Sequence, residues 1–221
     1  MKPFVVFVEG SVGAGKTTLI QLLEKEFKTL LGEGHVKIVL EPLHKWQEIV
    51  HKDKNFLELS YKEAEKYGML FQIKALSDME MEHMQEQQER IVIYERCPKT
   101  TVEVFAKKLQ REGTISELEY TVLDELLETF QKTGKLVKPD ITIYLKTSTE
   151  TTNARISKRN REEESEVTKE NIKVLNTIYN EYIEGIKNEV TIVDANLEAE
   201  EVMNMAKNAI ISAMNEEDDN N

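Results

Sequence analysis

The stretch of sequence that decides the fold reads Glu9-Gly10-Ser11-Val12-Gly13-Ala14-Gly15-Lys16-Thr17-Thr18. It follows the apolar run Phe4–Val8 and precedes residues 19–23, whose apolar spacing is typical of a helix. A strand, a glycine-rich loop and a helix in this order form the context in which the pattern G-x-x-x-x-G-K-[ST] binds phosphate.

The residue types in this loop suit a polyphosphate. Gly10, Gly13 and Gly15 allow backbone dihedrals that other residues avoid, so several N–H groups can converge on one anion. The helix that begins near Lys16 adds the positive end of its dipole, and the lysine adds a mobile charge for the outer phosphates. The Thr17 hydroxyl is a suitable ligand for Mg²⁺. We therefore predict that residues 10–18 bind the phosphates of a nucleotide.

Length, charge and cysteine content exclude several classes of protein. A chain of 221 residues predicts one domain, and its formal charge of −12 argues against a nucleic-acid partner, which needs a basic face. Cys97 is the single cysteine, so no intrachain disulfide is expected. No apolar stretch is long enough to cross a membrane, and the loop leaves no room before it for a signal peptide. These observations predict a cytosolic protein with no membrane partner.

Short β-branched runs alternate with long amphipathic stretches along the chain. This alternation predicts an α/β fold, in which a five-stranded parallel sheet is flanked by helices. A single domain is expected over residues 1–214, followed by an acidic tail over 215–221 that we expect to be disordered. The expected strands are Phe4–Val8, Val36–Leu40, Ile91–Tyr94, Ile141–Leu145 and Val190–Val193.

Ligands of such sheets bind beyond the carboxyl ends of the strands, so the residues that follow each strand matter most. Glu41 follows the second expected strand, and it either accepts a proton from a substrate hydroxyl or is a solvated residue. Glu95 and Arg96 follow the third. This pair either orients Mg²⁺ and holds an acceptor oxygen or is a structural ion pair.

A charged segment at about residues 155–166 contains three arginines, Arg155, Arg159 and Arg161. Arg155 and Arg159 are four residues apart and share a helix face, whereas Arg161 joins them only if the chain bends. The arginines either close over a polyphosphate as a lid or form a solvated face paired with neighbouring glutamates.

Several aromatic and amide residues are candidates to line a pocket that binds a planar base. Each of them taken singly fits a hydrophobic core at least as well. These residues are Trp46, Tyr61, Phe71, Gln72 and Phe105.

The ordered set of these positions resembles the deoxyribonucleoside kinase family, which includes deoxycytidine, deoxyguanosine and mitochondrial-type thymidine kinases. The resemblance spans roughly residues 3–200 and depends on order and spacing. Its pieces are Glu9 to Thr18, Leu40-Glu41-Pro42 with Trp46, residues 57–61 and 69–72, Glu95-Arg96, residues 144–148, the segment 155–164 and Val193 to Asn196.

The resemblance implies a P-loop NTPase-type fold with an arginine-rich lid, and an enzyme that uses ATP and Mg²⁺ to phosphorylate the 5′-hydroxyl of a deoxyribonucleoside. It implies that Glu41 is the base, that Arg96 holds the same oxygen and that Glu95 places Mg²⁺ beside Thr17. The implied contacts to the donor involve Lys16, the lid arginines Arg155, Arg159 and Arg161, and the adenine-side loop Asp194, Ala195 and Asn196.

For the nucleoside, the resemblance implies that Tyr61 and Glu164 share the sugar 3′-hydroxyl. Gln72 would pair with the base, with Phe105 stacked on it and Trp46 closing the pocket beside Phe71. A homodimer formed through the long helices between strands two and four is also implied.

Two departures from the family pattern bear on the choice of base. Cytosine- and purine-preferring members have an arginine seven residues after the glutamine and an aspartate six residues after the glutamate of Glu-Arg. Met79 and Thr101 occupy these positions here, which resembles pyrimidine-accepting, thymidine-tolerant members. Ala75 beside them is small, so purines are not excluded.

Two other functions compete with this one. A thymidylate kinase-type enzyme shares the loop, a Glu-Pro pair and an arginine lid, but it usually has an arginine where Leu40 stands, because it must grip a phosphate on its acceptor. A non-enzymatic nucleotide switch would require an Asn-Lys-x-Asp motif and an Asp-x-x-Gly motif after strand three, and neither is present in the sequence.

Overall fold

The computed structural model describes residues 2–133, 137–186 and 190–220. In this part of the chain a parallel sheet of five strands has the order β2-β5-β1-β6-β7. The five expected strands are confirmed, as is the α/β class. Their bounds are Phe4–Gly10 for β1, Val36–Val39 for β2, Ile91–Glu95 for β5, Ile141–Lys146 for β6 and Val190–Asp194 for β7.

A two-stranded antiparallel hairpin lies outside this sheet and was not expected from the sequence. It pairs β3 (Val50–His51) with β4 (Lys54–Asn55) around a turn in which Lys52 and Asp53 both have positive φ. Asn55 also caps the helix that follows, because its side chain accepts a hydrogen bond from the Glu58 N–H at 2.8 Å.

Helices cover both faces of the sheet, with short irregular turns between some of them. A π-helical turn, Thr101–Ala106, and a 3₁₀ turn, Glu162–Glu164, belong to the site described below. The α-helices are α1 Lys16–Leu31, α2 Leu43–Gln47, α3 Phe56–Lys62, α4 Ala64–His83, α5 Pro98–Thr100, α6 Lys107–Arg111, α7 Glu117–Thr133, α8 Thr149–Arg159, α9 Lys169–Gly185 and α10 Ala199–Asn220.

The three central strands, β1, β5 and β6, are mostly apolar because helices bury both faces of the sheet there. Every residue of β1 is buried. On one face Val6 and Val8 pack with apolar residues of α1 and α10. On the other face Val5 and Phe7 pack with Val92, Tyr94 and Cys97 of the β5 segment.

The chain leaves β1 toward β2 on one side and later returns to place β6 on the other side. Strand β1 therefore lies where the strand order reverses, and the crevice beyond its carboxyl end is the expected ligand site. The glycine-rich loop, residues 41–42 and residues 95–96 all meet there.

Two expectations concern the ends and surface of the chain. Helix α10 continues through residues 215–220, where a disordered acidic tail was expected, and Asn221 lies outside the described residues. No helix in the described ranges is long and apolar enough to cross a membrane. The cytosolic location stays a prediction.

Candidate active site

The glycine-rich loop has the geometry of an anion cradle. Gly13 and Gly15 have φ angles of +79° and +99°, which favour glycine. A Cβ at Gly13 would lie 2.9 Å from Ile156 Cγ1, so a side chain there would push helix α8 off the loop. Arg155 on α8 donates a hydrogen bond to the Ala14 carbonyl at 3.0 Å. The loop and the lid helix are thus packed together.

Lys16 is the buried cation of this loop. Its Nζ donates to the carbonyls of Gly10 at 3.2 Å and Ser11 at 3.1 Å, and the nearest carboxylate oxygen, on Glu95, is 4.0 Å away. Burial, and then repulsion by Arg96, lower the pKa of Lys16 to about 8. A buried ammonium group with no close counter-ion favours the binding of an anion beside it.

Oxygen ligands suited to Mg²⁺ lie at the start of α1. The Thr17 hydroxyl lies 3.0 Å and 3.1 Å from the two carboxylate oxygens of Glu95. No cluster of three or more acidic, histidine or cysteine side chains able to hold a metal occurs among the described residues. One carboxylate and one hydroxyl fit Mg²⁺, because this ion keeps several waters and takes further ligands from substrate phosphates.

Glu41 and Arg96 meet as an ion pair beside the loop. Arg96 Nε lies 3.2 Å from Glu41 Oε1, without the alignment of a hydrogen bond. Arg96 is 3% exposed and its guanidinium lies 4.6 Å from the centre of the Phe105 ring. The Glu41 side chain is 19% exposed and lines the cavity, so one carboxylate oxygen is available to a substrate.

The expected base-binding residues line a buried pocket between α2, α4 and the π-helical turn. The indole N–H of Trp46 donates to Asp78 Oδ2 at 2.9 Å, and its ring meets Phe71 edge-on at 5.0 Å. Asp78 thereby holds the wall of the pocket. Gln72 is 7% exposed and lines the cavity. Its amide carries both a donor and an acceptor, so it suits a planar base that offers both.

Met79 differs from its expected position. It is buried, but it does not line the cavity. Its sulfur accepts a hydrogen bond from the Thr101 hydroxyl at 3.5 Å, and Thr101 does line the cavity, as Ala75 does. Met79 shares the helix face of Gln72 but lies about two turns further along the helix, behind the Thr101 side chain. It can affect the base only through its neighbours.

A sharp turn brings the lid arginines together, as the sequence required. Asn160 has φ +48° and ends α8, so Arg161 leaves the helix direction. Arg159 and Arg161 then both donate to the Glu164 carboxylate, at 2.6 Å and 3.2 Å. Burial raises the pKa of Tyr61, and the charges of Glu164 and Glu41 raise it further, so its hydroxyl remains a hydrogen-bond donor.

The polar side chains of the loop after β7 form hydrogen bonds within the protein. Asp194 Oδ1 accepts from the N–H of Asn196 at 3.0 Å, and the Asn196 side-chain oxygen accepts from the Ser148 N–H at 3.0 Å. Both side chains are exposed and lie outside the cavity lining, whereas Ala195 lines it together with Leu197 and residues of α1. An apolar slot of this kind suits a planar base.

One cavity of about 880 Å³ connects all these parts, and it is large enough for two small ligands. Five of the expected site residues lie outside its lining: Gly10, Ser11, Met79, Asp194 and Asn196. The structure brings the following expected residues together around it: Val12, Gly13, Ala14, Gly15, Lys16, Thr17, Thr18, Glu41, Trp46, Tyr61, Phe71, Gln72, Ala75, Glu95, Arg96, Thr101, Phe105, Arg155, Arg159, Arg161, Glu164 and Ala195.

Three buried residues next to the site were missed. Glu163 accepts hydrogen bonds from Gln47 Nε2 at 2.7 Å and Asn55 Nδ2 at 3.0 Å, which hold the lid against α2 and the hairpin. Glu9 and Tyr179 surround Arg96 from behind. Glu9 could have been identified from the sequence as a buried carboxylate, because it directly precedes the first glycine of the loop. Tyr179 lies within α9 and had no sequence signal.

Comparison with known proteins finds one matching family and relatives whose names agree with it. A family model described as deoxynucleoside kinase matches residues 6–217. The mitochondrial thymidine kinase 2 of Homo sapiens is 28% identical over 182 residues, which cover 82% of this chain and 65% of that protein. The deoxyadenosine kinase of Dictyostelium discoideum is 29% identical over 202 residues, covering 86% of this chain and 71% of that protein.

Solved structures agree in fold. Two structures of the deoxyadenosine kinase of M. mycoides match with a TM-score of 0.76 and 25% sequence identity. One has dCMP and dCDP bound and covers 95% of this chain and 99% of that one. The other has dATP bound and covers 94% of this chain and 99% of that one.

Proposed function

The chain belongs to the deoxynucleoside kinase family, and from this premise we propose that it transfers the γ-phosphate of ATP to the 5′-hydroxyl of a deoxyribonucleoside. The observation that best supports this proposal is the Glu41–Arg96 ion pair, which lines the same cavity as the phosphate loop. A base, a cation and an anion cradle within one cavity match the needs of phosphoryl transfer.

In the proposed reaction Glu41 accepts the proton of the 5′-hydroxyl, and the oxygen forms a bond to the γ-phosphorus. The bond between the γ-phosphorus and the oxygen that bridges to ADP breaks, and ADP leaves. Arg96 holds the attacking oxygen. Lys16 and the lid arginines stabilise the charge that develops on the phosphates. Thr17 and Glu95 would hold Mg²⁺, which neutralises phosphate charge when bound.

The experiment that tests this proposal is a panel of acceptors with purified protein, labelled ATP and Mg²⁺. We expect transfer to thymidine and deoxycytidine, with purine deoxynucleosides poorer. Phosphorylation of thymidine monophosphate alone would instead identify a thymidylate kinase-type enzyme. ATP hydrolysis without any phosphorylated acceptor would favour a nucleotide switch.

The preference for pyrimidines is supported by the uncharged Thr101–Met79 contact beside Ala75. We expect the double substitution Met79→Arg with Thr101→Asp to lower the ratio of kcat/KM for thymidine over deoxyadenosine by about tenfold or more, because a carboxylate at position 101 would then border the base and the guanidinium behind it would hold it in place. Met84→Arg, at an exposed methionine near the end of the same helix, is the control. An unchanged ratio in the double variant would contradict the pocket assignment.

A homodimer is part of the proposal. Helices α4 and α7 expose large apolar side chains, among them Leu70, Leu118 and Val122, which are 54%, 73% and 53% exposed. Exposed apolar groups on neighbouring helices favour association. We expect Val122→Asp to halve the mass measured by light scattering at micromolar concentration, whereas Met205→Asp on α10 leaves it unchanged. A monomeric unmodified protein would contradict the dimer.

A further inference from the structure

The guanidinium of Arg96 is held from behind by groups that face away from the cavity. Its Nη1 donates to the Gly10 carbonyl at 2.9 Å and also to the Tyr179 hydroxyl. Tyr179 on α9 is fully buried, and its ring stacks on Tyr144 at 5.9 Å. Because the guanidinium nitrogen donates, the Tyr179 oxygen is the acceptor, and its own proton is free for another partner.

Glu9 is that partner. Its carboxylate is 1% exposed, and Oε2 lies 3.4 Å from the Tyr179 hydroxyl. Its other oxygen, Oε1, accepts from the Cys97 N–H at 3.0 Å and lies 3.4 Å from the Thr100 hydroxyl. Hydrogen bonds thus run in one direction, from Arg96 to Tyr179 to Glu9, and the Glu9 carboxyl group lies at the end far from the cavity.

The backbone of Arg96 needs the same support. Its φ of +68° lies in the left-handed region, which is uncommon and strained for a residue other than glycine. Such a conformation persists only when neighbouring contacts fix it. The Arg96 N–H donates to the Val8 carbonyl at 3.0 Å, and the next N–H, of Cys97, donates to Glu9. Glu9 therefore supports both the backbone at Arg96 and, through Tyr179, its side chain.

We propose that Glu9 and Tyr179 are positioning residues that fix Arg96 for contact with the acceptor oxygen. This inference rests on the proposed function, because it concerns the arginine assigned to that oxygen. Neither residue lines the cavity, so neither touches substrate. Their effect is on the orientation of Arg96 and hence on the rate of transfer rather than on nucleoside binding.

The test is Tyr179→Phe, which removes one hydroxyl and keeps the stacked ring. We expect kcat to fall about tenfold to hundredfold, the loss typical of a misplaced catalytic group, while nucleoside Kd and KM for ATP change less than about twofold. Tyr144→Phe is the matched control. It removes the hydroxyl of the ring stacked on Tyr179, which bonds to Asn180 at 3.1 Å and to no other described residue, and it should keep the unmodified kcat.

Glu9→Gln is a second variant, which changes the hydrogen bond to Tyr179 but keeps the size of the side chain at position 9. Its amide oxygen can still accept from the Cys97 N–H, but its amide nitrogen would donate to Tyr179 instead of accepting. We expect a lowered kcat, and we expect the double variant with Tyr179→Phe to lose little beyond the single variants, because both act through one chain of hydrogen bonds.

Arg96→Ala in the same assays distinguishes the possible failures. If Arg96→Ala lowers kcat but Tyr179→Phe does not, the proposed function stands and this inference is overturned. Equal losses in Tyr179→Phe and Tyr144→Phe, with matching drops in Tm, would also overturn it, since they indicate packing alone. An unmodified protein that phosphorylates no deoxynucleoside overturns the proposed function and this inference with it.

Discussion

The variant Glu41→Gln is expected to lower kcat by about 10²- to 10⁴-fold, the usual contribution of a positioned general base. The amide keeps the size of the side chain and one oxygen that can face Arg96, 3.2 Å away in the unmodified protein. It cannot accept the proton of the 5′-hydroxyl. In the proposed function, nucleoside binding depends mainly on the pocket around Gln72 and Phe105, so we expect Kd to change less than about threefold. Steady-state kinetics and equilibrium titration measure the two quantities separately.

Glu48→Gln is the control, because Glu48 lies seven residues further along and is exposed. It should leave both quantities unchanged. Retention of full turnover in Glu41→Gln would remove Glu41 from the mechanism, even though its position beside the phosphate loop is fixed. A large loss of nucleoside affinity would indicate that the carboxylate binds the sugar and is not the base.

The sheet could be predicted because each strand is a short β-branched run and the three central strands are buried on both faces. The strand ends followed from the same logic, since parallel strands bring their carboxyl ends to one edge. The sequence alone therefore predicts that Glu41, Glu95 and Arg96 lie beside the loop. Whether Glu41 meets Arg96 or stays in solvent depends on the distance between them, and that distance depends on how the strands twist and pack.

Other parts of the site depended on side-chain direction, which periodicity does not resolve. Met79 was expected at the pocket, but it lies behind Thr101. Arg161 needed a bend, and the structure provides it through the left-handed conformation of Asn160. Tyr179 reaches Arg96 across 83 residues of sequence, and such a contact between α9 and the segment after β5 leaves no local pattern.

Replacing Lys16 with alanine is the second change with a large expected effect. In the structure its ammonium group donates hydrogen bonds to the Gly10 and Ser11 carbonyls of the loop, and the Glu95 carboxylate is 4.0 Å away. A phosphate would be its natural counter-ion, and the interaction would strengthen as charge moves onto the phosphates during transfer. We expect kcat/KM for ATP to fall by about 10²- to 10³-fold, as for loss of one preorganised donor. Lys25→Ala, at an exposed lysine of the same helix, should behave as the unmodified protein.

The pH dependence of the unmodified protein gives an independent check on Lys16. Burial lowers the pKa of Lys16 to about 8 in the free protein, so the ammonium form is lost as pH rises through that value. Because kcat/KM reports the free enzyme, it should fall about tenfold for each pH unit above 8. Stability should move the other way. Between pH 8 and the ordinary lysine pKa the unfolded chain binds more protons than the folded one, so the free energy of unfolding rises with pH. A kcat/KM that stays flat to pH 10, or an alanine variant that shows the same fall, would exclude Lys16 as the titrating group.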